Sequence, residues 1–140
     1  MPRRRPRILR AQVWANRRRH HPAPQIPGVS SRTRAAIARI EFHPLWPGSV
    51  AEAFAEYERF LRQPGRHLYL PEANCPCCDP AEARNTLEYT LRRLRSSAKA
   101  ELSQLVTRLD EEFYRRTIPD PWARYYPWRF GGWWHHRIHE

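Results

Sequence analysis

The sequence predicts a mainly α protein: a small helical domain built on one long helix in the C-terminal half, packed against a shorter helix, with a disordered basic N-terminal arm and an aromatic C-terminal extension. Three observations carry that prediction. Leu87, Leu91, Leu94, Ala98, Leu102, Leu105, Leu109 and Phe113 recur at gaps of 4, 3, 4, 4, 3, 4 and 4, one stripe of a single helix. Val50, Ala53, Phe54, Tyr57, Phe60 and Leu61 make a second apolar face. A length of 140 residues, with 41% apolar content and a mean hydropathy of −0.84, leaves room for one modest core plus tails.

Residues 1–29 read as a disordered Arg/Pro-rich arm, and residues 30–140 as one domain. The arm carries Arg3, Arg4, Arg5, Arg7 and Arg10, then Arg17, Arg18 and Arg19, broken by Pro2, Pro6, Pro22, Pro24 and Pro27. Residues 1–34 hold ten Arg and no acid, whereas residues 35–140 hold 15 basic and 14 acidic side chains. Ten of the eleven net positive charges therefore lie at the N-terminal end. The total of 24 Arg against one Lys is also what a GC-rich genome produces, so the placement argues more than the count. Guanidiniums on a flexible arm contact phosphates and release counterions, and Trp14 between the two clusters is suited to stacking on a base. The same charge suits an acidic protein or an anionic lipid surface, and a purely solubilising tail has the same composition.

Ser30-Ser31 is a suitable N-cap pair for a short helix over residues 30–42, although Arg39-Ile40-Glu41-Phe42 alternates as an edge strand does. Trp46, in the turn His43–Gly48, is expected in the core. The shorter helix is predicted over 49–63, with Ser49 and Glu52 as a capping box and Pro64-Gly65 as its stop.

The long helix is predicted over 80–117. Asp79 is its N-cap, Pro80 its first residue, Glu82 the acid of its first turn and Pro119 its limit. As one rod it is roughly 55 Å long at 1.5 Å per residue. A stripe of that length wants a second helix or a copy of itself. One flank carries Arg84, Glu88, Arg92, Arg95 and Lys99, expected as a solvated face with a Glu88–Arg92 pair and, as the minority alternative, a phosphate-contacting one.

Cys75-Pro76-Cys77-Cys78 stands immediately before the N-cap. A helix N-terminus favours thiolate over thiol. The string holds the C-P-x-C spacing of a zinc knuckle, and three cysteines so close together do not pair well as disulfides. Three readings stay open: a structural zinc site of Cys75, Cys77 and Cys78 with His67 as the nearest fourth ligand, reactive thiols, or free cysteines. His43 and the C-terminal histidines are alternative fourth ligands, and the usual second C-x-x-C or H-x3-5-H half of a zinc motif does not accompany the cysteines. The tetrapeptide resembles the core of small cysteine-rich bacterial domains named after it. The resemblance spans four residues and implies no activity.

Residues 119–140 hold four of the six Trp, with Tyr125, Tyr126, Phe130, Arg124, Arg129 and Arg137 among them. Disordered tails avoid so many aromatics, so the segment is expected to fold back on the long helix, with a stacking platform or a docking hot spot as the functional alternative. His135 and His139 have i,i+4 spacing, which suits metal on a helix, but the H-E-x-x-H of a zinc protease is missing.

No Gly-rich phosphate loop and no nucleophile elbow is present, and no small-molecule substrate is evident, so the chain is expected not to be an enzyme. No run reaches the 18 apolar residues of a membrane span, and the Arg-rich start lacks the apolar region of a signal peptide; with its unpaired cysteines, the chain is expected in the cytoplasm. The leading expectation is a nucleic-acid-binding accessory protein that works through its arm. The alternative is an assembly subunit docking through the long helix, by a protein partner or self-association, and through the Trp-rich end.

Overall fold

The computed structural model describes residues 24–68, 79–125 and 131–138, and they are mainly helical. The helices are α1 (Ser31–Ile40), α2 (Ser49–Leu61), α3 (Pro80–Arg93) and α4 (Ser96–Arg115). Two short strands, β1 (Ile118–Pro119) and β2 (Arg137–Ile138), pair antiparallel, Ile118 opposite Ile138 and Pro119 opposite Arg137. Single 3₁₀ turns cover Ala123–Tyr125 and Trp133–His136.

The expected long helix is two helices. Leu94 (φ −71°, ψ 143°) and Arg95 (φ −78°, ψ 164°) are extended, and α4 restarts at Ser96. Ser96 and Ser97 bond readily to nearby backbone and hold a helix interior weakly. The larger cause is packing. A straight rod exposes most of its stripe, whereas the break folds α4 back so that Leu87, Leu91, Leu94, Ala98, Leu102 and Phe113 are all buried in one core. The stripe is thus satisfied within the chain. Val106, which the periodicity omitted, is among the most deeply buried side chains.

The predicted face of α2 is the buried one: Val50, Ala53, Phe54, Tyr57, Phe60 and Leu61 all enter the core. Its cap differs from the prediction. Gly48, at φ +88°, is the N-cap, and the Ser49 hydroxyl caps nothing. The cap comes from Glu41, whose two carboxylate oxygens accept from the Gly48 and Val50 N–H groups at 2.9 Å each. A carboxylate at a helix N-terminus satisfies free donors and complements the dipole. At the other end of α2, buried Arg116 donates to the carbonyls of Leu61, Gln63, Gly65 and His67, the middle two at 2.8 Å. A guanidinium thus fills the role of a C-cap.

The region 30–42 is helical, not an edge strand. Ser30 caps α1 by accepting from the Thr33 N–H, and it ties α1 to α4 through Glu101, which accepts from the Ser30 N–H at 2.8 Å and from its hydroxyl at 3.0 Å. Ile26 and Val29 are buried, so the folded part begins before residue 30 and the expected arm boundary at 29 lies too far along the chain. Trp46 is not in the core: it is 59% exposed, and its indole N–H donates to Glu52 at 3.1 Å. Asp79 caps α3 as predicted, accepting from the Ala81 N–H at 2.9 Å. No helix among the described residues is long and apolar enough to cross a membrane.

Candidate functional site

Most residues predicted to bind lie outside the described residues: Arg3, Arg4, Arg5, Arg7, Arg10, Trp14, Arg17, Arg18 and Arg19 of the arm, and Cys75, Cys77 and Cys78. His67 is described and exposed, and its carbonyl is held by Arg116. Among the described residues no group of three or more His, Cys, Asp or Glu gathers closely enough to hold a metal ion. Of the i,i+4 histidine pair, His135 lies in a 3₁₀ turn that leads into the extended Arg137–Ile138, and His139 lies outside the described residues.

The C-terminal turn Trp133–His136, with Arg137, packs against both α3 and α4. Trp134 is buried and donates its indole N–H to the Asn85 side-chain oxygen at 2.9 Å; His135 Nε2 lies 2.8 Å from the same oxygen. Trp133 packs against Phe113 (5.9 Å between centroids) and edge-on to Tyr114 (5.8 Å). Arg137 stacks over Tyr114 at 3.9 Å and donates to Thr117 Oγ1 at 2.8 Å. Gly132 permits the closure: a Cβ there would stand 2.0 Å from the Trp134 ring. Among the described residues of this segment, Trp134 joins the core.

What it leaves outward is a stacking surface. Trp122 is 62% and Tyr125 55% exposed, their rings 5.7 Å apart, and the Arg124 guanidinium lies 4.8 Å from the Tyr125 centroid. Asp120 fixes this turn by accepting from the Trp122 N–H at 2.9 Å, while its own N–H donates to the His136 carbonyl at 2.9 Å. Two rings beside an exposed guanidinium offer a base a π face and a phosphate a cation.

Against Trp134 lies a buried polar network, whose Arg84–Glu88 part sequence reading placed in solvent. Arg84, expected on a hydrated flank, is buried and makes a bidentate pair with Asp110 at 2.8 and 2.9 Å. It also donates to Glu88 at 3.1 Å and stacks 4.1 Å from the Trp134 centroid. Asp110 accepts from the Tyr57 hydroxyl at 3.0 Å, and Glu88 accepts from Arg92 at 2.9 Å, the predicted i,i+4 pair. Burial pushes the Tyr57 phenol well above its ordinary value, reinforced by the Asp110 charge and hydrogen bond and opposed by Arg84. Burial alone would raise the Glu88 carboxyl, but the Arg92 and Arg84 hydrogen bonds outweigh it and hold the group low. Burial works against the Arg84 charge, and the Asp110 bond and charge, then those of Glu88, more than offset it. Every charge here is paired and hydrogen-bonded, the condition for holding ions inside a core. The cluster fastens α2, α3, α4 and Trp134 together. Of the remaining flank, Arg95 and Lys99 stand exposed at the α3–α4 break.

No protein-family model matches this chain, and neither does any curated protein or solved structure.

Proposed function

We propose that this chain is a non-enzymatic nucleic-acid-binding accessory protein. The observation that carries the reading is the placement of charge: ten Arg and no acid in residues 1–34, against near balance in the remainder. The arginines supply sequence-independent attachment to phosphates. The exposed Trp122–Tyr125 pair with Arg124 adds stacking, which favours single strands.

Fluorescence anisotropy against single- and double-stranded DNA and RNA over a salt series tests it. The full chain is compared with one whose eight arginines in residues 1–23 are replaced by serine, which keeps Ile26 and Val29 in the core. Engagement of most of those arginines gives log K falling against log salt with a slope of roughly −5, lost in the variant. Binding that survives the replacement with an unchanged slope refutes the arm, and no binding at about 50 mM salt refutes the function.

A structural zinc at Cys75, Cys77 and Cys78, with His67 as fourth ligand, belongs to the same proposal. His67 has the exposure such a role needs and precedes the segment that runs to the Asp79 cap. Zinc there would hold the entry to α3, and metal analysis of the purified chain should find about one equivalent; under about half an equivalent refutes it.

A protein-assembly role is the second reading. With the stripe of α3 and α4 buried internally, its support narrows to exposed aromatics such as Phe42 and Trp46.

A further inference from the structure

Between α2 and α3 lies an open groove of about 420 Å³, lined by Trp46, Ser49, Glu52, Glu56, Glu82 and Thr86 among others. Three of these are carboxylates, and none of the described residues lining the groove is basic. Glu52 is tethered to the Trp46 indole N–H at 3.1 Å, and Glu56 and Glu82 make no ion pair among the described residues. Ser49, also on the lining, is only 2% exposed, yet its hydroxyl is the one buried side-chain polar atom among the described residues without a hydrogen-bond partner. A buried hydroxyl is normally satisfied, so this one marks a place where a polar partner is missing.

We propose that this groove is a binding site for an arginine side chain, and that its occupant is the chain's own Arg17-Arg18-Arg19 segment. The chemistry favours a guanidinium. Among the described residues these carboxylates belong to no cluster tight enough for a metal ion. A planar fork with five N–H donors can bridge separated acceptors, and the exposed Trp46 ring offers it a cation–π face.

The choice of occupant follows from where the chain enters the fold. Pro24 packs beside Gly48, its ring carbons 3.7 Å from where a Cβ on that glycine would stand, and Gly48 immediately precedes Ser49. Arg19 is five residues from Pro24, a reach of up to about 17 Å. An Arg triplet is thus tethered a short span of chain from the Ser49 end of an acidic groove. Tethering gives the arginines an effective concentration on the order of millimolar, so even an intrinsic affinity of about 100 μM fills the groove. The proposal does not depend on nucleic-acid binding; where both hold, phosphate must draw the arginines out of the groove.

The test is anisotropy of a fluorescein-labelled triarginine peptide, with no nucleic acid present. Three full-length chains are compared: the natural sequence, R17S/R18S/R19S, and R17S/R18S/R19S with E56Q/E82Q. Emptying the groove should tighten peptide binding about tenfold over the natural chain. Adding E56Q/E82Q should remove that gain, and W46A in the serine background should weaken binding as a second, independent probe outside the core. Equal affinity for the natural and R17S/R18S/R19S chains overturns the chain's own segment as occupant. Binding unaffected by E56Q/E82Q and by W46A overturns the groove as the site.

Discussion

Replacing Arg84 by Met should cost about 3–5 kcal/mol of folding stability, the usual result of stranding one member of a buried ion pair. The structure places the pair in that regime: the Arg84 and Asp110 side chains are 6% and 16% exposed and bonded twice, so solvent cannot replace the lost partner. Against a total of roughly 5–15 kcal/mol that is a large fraction, and it should lower Tm by roughly 12–20 °C in a domain of this size. Removing both charges should be far milder. R84M/D110L replaces the pair with apolar groups; Glu88 loses Arg84 but keeps Arg92, and the Tyr57 hydroxyl loses its acceptor Asp110. Stranding that hydroxyl costs about 1–3 kcal/mol. Y57F/R84M/D110L should therefore recover most of the loss. Urea denaturation of the natural chain and the three variants measures each step. If R84M costs under about 1 kcal/mol, or if the triple variant is no better than R84M, the pair is not holding α3 against α4 as argued.

Alkaline pH should expose the same network through Tyr57. Its pKa is raised in the fold, so its contribution is complete below the ordinary value of 10 and is lost as pH rises above it; stability should fall by about 1.4 kcal/mol per pH unit there, and Y57F should lack that slope in pH-dependent denaturation. Arg116→Met strips the carbonyls of Leu61, Gln63 and Gly65 of their donor and should cost about 3 kcal/mol by the same assay, an effect absent if water replaces the guanidinium. W122A/Y125A should weaken binding to single-stranded RNA roughly tenfold or more with little effect on stability, since base stacking is worth about 1–3 kcal/mol per base; unchanged anisotropy would remove this surface from the interface.

Local signals were legible and long-range ones were not. The periodicity of α2 identified its buried face residue by residue, and Asp79-Pro80 located the start of α3. Both are short-range codes, read within a turn or two. The break at Leu94–Arg95 had only a weak local mark, Ser96-Ser97, because what enforces it lies elsewhere. In an unbroken helix Arg84 and Asp110, 26 residues apart, would be separated by about 39 Å along the axis; in the fold their charged atoms are 2.8 Å apart. Nothing in the spacing of Leu residues encodes that pairing. The same holds for the caps of α2. Ser49 and Glu52 match a capping box, but Glu41 reaches the helix end first, and Arg116 closes the other end from 55 residues away. The exposed Trp122–Tyr125 pair was legible as aromatic content, though which rings face out depended on Trp134 finding Asn85.

The position of Arg84 links the core to the outward face. One side of its guanidinium plane lies against the Trp134 ring, while its edge donates to Asp110 and Glu88. Stacking and in-plane hydrogen bonding use different directions of the same group, so all three contacts coexist. Trp134 in turn holds the turn Trp133–His136, whose His136 carbonyl accepts from Asp120, and Asp120 orients Trp122. A continuous chain of contacts therefore runs from the α3–α4 pair to the stacking surface. Loss of Arg84 removes the floor under Trp134 as well as the ion pair, so the Trp122–Tyr125 surface should lose its order together with the helix packing. Loss of Trp122 and Tyr125, at the far end of that chain and in solvent, leaves the core contacts intact. The asymmetry follows from burial: the inner groups have no alternative partner, and the outer ones have water.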